Sequence, residues 1–325
     1  MVSKRKIKLK FTDFWVNYNK AENNIFYEML SKIYDLELSE EPEILFYSCY
    51  GNEHIKYKCK KIFYSAENQR PNFKYCDFAI TFDFLVDPRH FRFPLFGLYC
   101  NPDELIWNEN KAISLNDWKL KSKFCCIVVS NPNAVERIEF YHELSKYKKV
   151  DSAGKWNNNI EIGPSHLDKL NFIKDYKFVI SYENSSYPGY TTEKIIEPLM
   201  TNSIPIYWGN PLVEYDINSK RIINVHKYNS IKEVIQSIIE IDNNEVMAVD
   251  MVNNPIFTDN KVPDQIKKSE MLNFLVKAIE NKKIPIAQSI VGRMNIFVFN
   301  TWLWYIRLRG RIGKSFHSGS KYKLE

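Results

Sequence analysis

Phe178-Val-Ile-Ser-Tyr-Glu-Asn-Ser-Ser-Tyr-Pro-Gly-Tyr-Thr-Thr-Glu-Lys-Ile-Ile-Glu-Pro198, running on to Ser203-Ile-Pro-Ile-Tyr-Trp-Gly-Asn-Pro211, is the most informative stretch of the 325-residue chain. Its opening apolar run, rich in β-branched and aromatic residues, reads as a buried strand. A polar loop with a Pro-Gly turn follows, then a helix whose first turn holds Glu193 and Lys194. Thr191 or Thr192 is placed to cap that helix, leaving free backbone N–H groups and a positive dipole end at the carboxyl end of the strand. Such a spot suits a diphosphate. The Lys194 ammonium adds a full charge, Glu193 has two acceptor oxygens suited to ribose hydroxyls, and Tyr190 offers a ring and a phenol. The plain alternative is an ordinary capped helix carrying a solvated Glu-Lys pair.

Outward from this stretch, short strand-like runs alternate with helical periodicity, the pattern of an α/β protein with parallel sheets. Downstream come 204–208, 222–225 and a helix over 231–241 introduced by the capping-box pair Ser230 and Glu233. Upstream stand a strand over 124–129 and a helix over 134–147. In the first third, strands are expected at 7–11, 44–47, 61–64 and 78–80. A helix over 21–35 would place Ile25, Phe26, Met29, Leu30 and Ile33 on one face. The polar connection over 108–123 marks the expected boundary, giving an N-terminal α/β domain (1–117), a second α/β domain (118–262) and a C-terminal segment of helices with a basic tail (263–325). Two such halves imply a cleft that takes a small ligand. Pro198 inside the 192–201 helix predicts a kink or an early end.

Composition narrows the function classes. The chain is 45% hydrophobic and 15% aromatic, ample for packed cores. Its six cysteines form no C-x-x-C pair, and Cys125 and Cys126 adjoin inside an apolar run, so they read as reduced packing residues. Of the formal +6, residues 1–10 carry +5 and residues 307–325 another +5, so the middle carries a net −4. Basic ends on a mildly acidic body, with no recognition motif, argue against nucleic-acid binding. No apolar h-region follows the basic start, which predicts neither a secretory signal nor an anchor and points to a cytoplasmic protein. Residues 286–308 are too short and too polar to span a bilayer. They read either as a helix packed back on the N-terminal domain or as an interfacial helix on anionic lipid, with Trp302, Trp304 and Tyr305 beside Arg307, Arg309, Arg311 and Lys314. The six histidines are scattered and no Asp-x-Asp occurs, so no metal site is expected.

Taken whole, Glu183-Asn184-Ser185, Tyr190-Thr191-Thr192-Glu193-Lys194 and Ile204-Pro205-Ile206-Tyr207-Trp208-Gly209 resemble, in this order, the signature of the α-1,3-fucosyltransferase family. Phe63-Tyr64-Ser65-Ala66-Glu67-Asn68-Gln69-Arg70-Pro71-Asn72-Phe73, continuing through Asp77 to Leu95, is similar to the N-terminal block of its bacterial members. Val128-Val129-Ser130-Asn131 with Arg137 and Phe140-Tyr141 is similar to the start of their donor domain. The resemblance covers residues 40–260, and Ala66, where glycine is common, is its one small departure. It implies two Rossmann-like domains facing a cleft, a GT-B-type glycosyltransferase with a helical C-terminal tail. GDP-fucose would lie in the C-terminal half and a lactosamine- or lactose-type acceptor in the N-terminal half. Lys194 and Arg137 would neutralise the diphosphate, and Glu193 and Tyr190 would hold the ribose and fucose. Ser130, Asn131 and Asn184 would line the donor pocket.

Glu67 would be the general base of an inverting transfer that needs no metal or other cofactor. Its plain alternative is a loop carboxylate paired with Arg70. Lys194→Ala is expected to weaken GDP binding with little effect on stability. The competing readings are a transferase of another nucleotide sugar and, from a different class, a basic membrane-surface or nucleic-acid binding protein.

Overall fold

The computed structural model describes residues 4–15, 17–20 and 24–317, without the side chains of 303 and 307–317. The chain divides into two compact units, Met1–Ile80 with Asp87–His90 and Phe274–Glu325, and Thr81–Val86 with Phe91–Asn273.

In the first unit β1 (Lys6–Thr12) leads to α1 (Ile25–Ser31), then β2 (Asp35–Leu38), β3 (Ile44–Tyr47), β4 (Lys60–Tyr64), β5 (Phe78–Thr81) and β6 (His90–Arg92). The sheet order is β2-β1-β3-β4-β5-β6, parallel from β2 through β5. Strand order therefore reverses between β1 and β3, the position at which such sheets open a crevice at their carboxyl ends. Asn24 caps α1 by accepting from the N–H groups of Phe26 (2.9 Å) and Tyr27 (3.3 Å), and the helix buries Phe26, Met29 and Leu30. α1 is shorter than the expected 21–35 helix. The chain leaves it after Ser31 and joins the sheet as β2, and Ile33 is 41% exposed.

The second unit runs α2 (Leu115–Lys119), β7 (Lys123–Val129), α3 (Val135–Ser145), β8 (Val150–Gly154), α4 (His166–Ile173), β9 (Tyr176–Tyr182), α5 (Glu193–Met200), β10 (Ile204–Trp208), β11 (Ile223–Asn224), α6 (Ile231–Asp242) and α7 (Glu245–Asn253). Its parallel sheet is ordered β11-β10-β9-β7-β8. Side chains alternate along β7. Cys125, Ile127 and Val129 join Phe140, Leu144, Val234 and Ile238 in one core, while Cys126 packs with Ile173, Tyr176 and Val179 in another. That alternation is why two adjacent cysteines are both buried. Burial holds both thiols far above their ordinary range, and all six cysteines are free.

The units do not follow the 117/118 division. Residues 91–117 belong with the second unit, where Phe96 and Cys100 share a core with Ile195 and Leu199, and Asn253 clamps the Ile113 backbone through both its amide atoms. The polar side chains of 108–117 are exposed, but the stretch is anchored to the second unit at Trp107 and Ile113 by the side chains of Asn260 and Asn253. From Phe274, within α8 (Lys268–Glu280), the chain returns to the first unit and runs on to α9 (Ile290–His317), so the described residues from 263 onward do not form a separate region. Lys60, buried on β4, donates to the carbonyls of Ala278, Ile279 and Asn281 at the end of α8. Of the basic N-terminal residues, Lys6, Lys8 and Lys10 lie on β1, and Arg5, Lys6 and Lys10 pair with Glu280, Glu37 and Glu40. At α6, Ser230 caps as expected, but Glu233 reaches back to the N–H of Asn229 rather than of Ser230. Complete Ser-x-x-Asp capping boxes open α2 and α4 instead.

No helix among the described residues is long and apolar enough to cross a membrane. α9 exposes Met294, Phe297, Trp302, Trp304 and Tyr305, while Phe299 lies 5.5 Å from Tyr75. The side chains of Arg307, Arg309, Arg311 and Lys314 lie outside the described residues, as do residues 318–325.

Candidate active site

In the second unit β7 pairs with β8 on one side and β9 on the other, so strand order reverses between β7 and β9. A cavity of about 630 Å³ opens at these carboxyl ends. β7 contributes Ser130 and Asn131, β8 Gly154 and Lys155, β9 Asn184, and the start of α5 Glu193 and Lys194. Gly154 has φ +101°, and a Cβ there would stand 2.2 Å from the Val129 carbonyl, so only glycine lets the two strand ends close the floor.

Thr192 caps α5, its hydroxyl accepting from the Lys194 N–H at 3.4 Å. Glu183, fully buried just past β9, ties the strand to the helix. Its carboxylate accepts from the Thr192 N–H (2.8 Å) and hydroxyl (2.7 Å) and lies 3.3 Å from the Lys194 ammonium. Glu193 approaches the same ammonium at 3.4 Å. A cation that the helix dipole alone would disfavour is thereby answered by two carboxylates. Burial works against the charge on Lys194, but Glu183 and Glu193 outweigh it and raise its pKa. Glu193 is likewise held ionised, burial being overcome by Lys194 and Lys169. Glu183 moves up, because its burial exceeds the help of Lys194.

Arg137, 1% exposed, enters the cavity wall from α3. Its guanidinium donates to the Tyr182 carbonyl (2.9 and 3.2 Å), the Asn184 side chain (2.8 Å) and the Asn131 carbonyl (3.4 Å). These acceptors orient the charge without neutralising it. Burial lowers its pKa, though a guanidinium starts so high that it stays charged.

Tyr190 does not line this cavity. It is 3% exposed, with its ring 5.1 Å from Phe82, turned inward after the Pro188-Gly189 turn. Glu67 lies in the first unit, just past β4. The Tyr50 phenol donates to its Oε1 at 2.8 Å, while Arg70 donates to Asn68 at 2.6 Å. Six of the eight candidate residues thus share one wall of the second unit: Ser130, Asn131, Arg137, Asn184, Glu193 and Lys194.

Two models match the sequence itself, "Alpha-(1,3)-fucosyltransferase FucT N-terminal domain" over residues 9–99 and "Glycosyltransferase family 10 (fucosyltransferase) C-term" over 118–250. The chain is 30% identical over 321 residues to the alpha-(1,3)-fucosyltransferase FucT of Helicobacter pylori, covering 86% of this chain and 67% of that one. It belongs to glycosyltransferase family 10, the fucosyltransferases. A putative fucosyltransferase of Acanthamoeba polyphaga mimivirus is 35% identical over 158 residues, 45% of this transferase and 26% of the relative. Crystal structures of an alpha1,3-fucosyltransferase, one of them with GDP, match at a TM-score of 0.73 and 28% identity, covering 87% of this chain and 92% and 93% of theirs. A structure with GDP-fucose matches at 0.69 and 26%, covering 87% and 94%. With the two parallel sheets, these likenesses place the transferase in the α/β class of GT-B-type glycosyltransferases.

Several residues that line or support the transferase's cavity were not singled out from sequence. Glu183 stood in the Glu-Asn-Ser tripeptide and was legible as part of the motif. Gly154, ending a strand, carried a weaker signal. Lys155, His166, Lys169 and Glu197 carried none, because Lys169 and His166 reach the buried Glu197 only in the folded chain.

Proposed function

We propose that the enzyme is an inverting α-1,3-fucosyltransferase that moves L-fucose from GDP-β-L-fucose to a GlcNAc or Glc hydroxyl of a lactosamine- or lactose-type acceptor. The observation that carries the reading is the cavity at the β7/β9 reversal. There the Arg137 guanidinium, hydrogen-bonded only to neutral oxygens, the Lys194 ammonium and the start of α5 converge where a diphosphate would sit. The enzyme's relatives, among them an α-1,3-fucosyltransferase solved with GDP and with GDP-fucose, support the same donor and linkage.

The donor is β-linked and the product α-linked, so one displacement with inversion is sufficient. Glu67 takes the proton from the acceptor hydroxyl, the acceptor oxygen bonds to fucose C1, and the bond from C1 to the diphosphate oxygen breaks. GDP leaves with that electron pair. Arg137, Lys194 and the helix N–H groups stabilise its growing charge, and Glu193 and Asn184 hold the sugar side. Tyr190 acts on the ribose and fucose only after turning out of its contact with Phe82.

Glu67→Gln is expected to fold normally and lose turnover by at least ~10²; near-normal turnover would remove it as the base. We propose fixed cations in place of a divalent metal, so activity persists in EDTA, and a complete, metal-reversible loss overturns that part. Mass spectrometry and linkage NMR of products, with GDP-fucose competing against GDP-mannose and UDP-sugars, test donor and linkage together. Preferential transfer from another donor sinks the assignment. We also propose a cytoplasmic enzyme whose α9 apolar face rests on the inner face of a membrane; cosedimentation with anionic but not neutral vesicles is the expected result.

A further inference from the structure

The first unit has its own strand-order reversal, between β1 and β3, and three successive carboxyl-end loops meet beside it. Trp15 follows β1, Tyr50 follows β3 and Glu67 follows β4. The Trp15 and Tyr50 rings stand 6.0 Å apart at 76°, forming two walls of a corner. Tyr18 backs Trp15 at 4.3 Å, and the buried Tyr64 lies 6.4 Å behind it. Tyr50 is 49% exposed and Trp15 half-buried.

The loop that presents Tyr50 is held unusually firmly. The Tyr50 N–H donates to the Asp13 carbonyl at 3.0 Å. The Asp13 carboxylate accepts from the N–H groups of Glu53 and His54, both at 2.9 Å, and meets the His54 ring at 2.7 Å. Gly51 approaches so closely that a Cβ there would lie 2.4 Å from Asp13 Oδ1. Packing gives no reason to fix a loop in this way and then leave its aromatic ring in solvent, whereas ligand positioning does.

We propose that this corner is the acceptor subsite: Trp15 and Tyr50 take the apolar face of the acceptor's pyranose ring, and the Tyr50 phenol orients Glu67 so that Oε2 meets the acceptor hydroxyl. The proposal rests on Glu67 being the base. A neutral sugar ring presents C–H groups on one face and hydroxyls at its edge, which an aromatic corner beside a carboxylate complements. Burial and the adjacent Glu67 carboxylate hold the Tyr50 phenol well above its ordinary pKa, so it stays a donor. Trp15 is a binding residue and Tyr50 both a binding and a positioning residue.

The test is steady-state kinetics of full-length Trp15→Leu, Trp15→Phe and Tyr50→Phe with GDP-fucose and N-acetyllactosamine, alongside GDP binding. Trp15→Leu is expected to raise acceptor KM at least ~10-fold, the effect of losing one stacked ring, with GDP affinity unchanged. Trp15→Phe, which keeps a ring in the cluster, should recover most of that loss. Tyr50→Phe should keep acceptor KM within about twofold and lower kcat about tenfold, because the carboxylate loses the donor that orients it. An unchanged acceptor KM in folded Trp15→Leu, or an unchanged kcat in Tyr50→Phe, overturns the proposal. An active Glu67→Gln instead sinks the base assignment, and the Trp15 variants still decide the stacking face.

Discussion

Arg137 and Lys194 share a wall and feel the same two carboxylates, Glu183 and Glu193, but only Lys194 is in contact with them. Arg137 hydrogen-bonds only neutral oxygens, whereas Lys194 lies between Glu183 and Glu193. A diphosphate therefore meets a fuller charge at Arg137, and Arg137→Met is expected to weaken GDP binding by more than Lys194→Ala when both are titrated calorimetrically. Stability should rank the other way. Lys194→Ala leaves the buried Glu183 without its cation, a loss of about 3–5 kcal/mol in denaturant unfolding. This replaces the expectation that Lys194→Ala leaves stability little altered. Lys121 supplies a pH test. It is buried against the carbonyls of Lys174 and Thr201, and burial pulls its pKa down to about 8. Below that pH the fold bears the full cost of the charge. As pH rises from about 8 toward the ordinary lysine range, the unfolded chain binds more protons than the folded one, so stability climbs. Lys121→Met should flatten that climb, measured as the unfolding midpoint against pH.

The elements that position the site rest on local signals of uneven strength. α5 was legible because its cap Thr192 stands directly before a helical repeat, and Pro198 ends it two residues later, at Met200. β7, β9 and β10 were legible as apolar runs. β2 was not, since Asp-Leu-Glu-Leu continues a helical pattern as readily as it starts an edge strand, and its pairing with β1 decided the matter. Nor was the role of Gly154 legible, because a positive φ leaves no mark on its neighbours. Gly154→Ala must shift either its own backbone or the Val129 carbonyl. It is expected to cost about 1–3 kcal/mol and to weaken GDP binding, with Gly163→Ala, whose Cβ would first meet the Asp168 side chain rather than backbone, as the milder comparison.

At the scale of the whole chain, the last segment completes the first unit. Beyond the Lys60 bonds to α8, Glu280 pairs with Arg5 and accepts from Tyr34, and Asp77 accepts from the Ile286 N–H. A chain cut after residue 273 strands these groups and should lose the first unit's unfolding transition. A chain cut after residue 289 keeps them and should retain it, as differential scanning calorimetry would record. The amino-acid sequence alone determined the α/β class, the order of most strands and helices, the α5 cap and the family motif. These depend on period, capping residues and short fixed spacings, which are properties of neighbours in the chain. Tertiary structure alone decided that residues 91–117 pack with the second unit and 274–317 with the first, that Lys194 is answered by Glu183, and that Tyr50 meets Glu67. A polar side chain or linker looks the same in sequence whichever distant partner it will find, and only the folded chain selects among them.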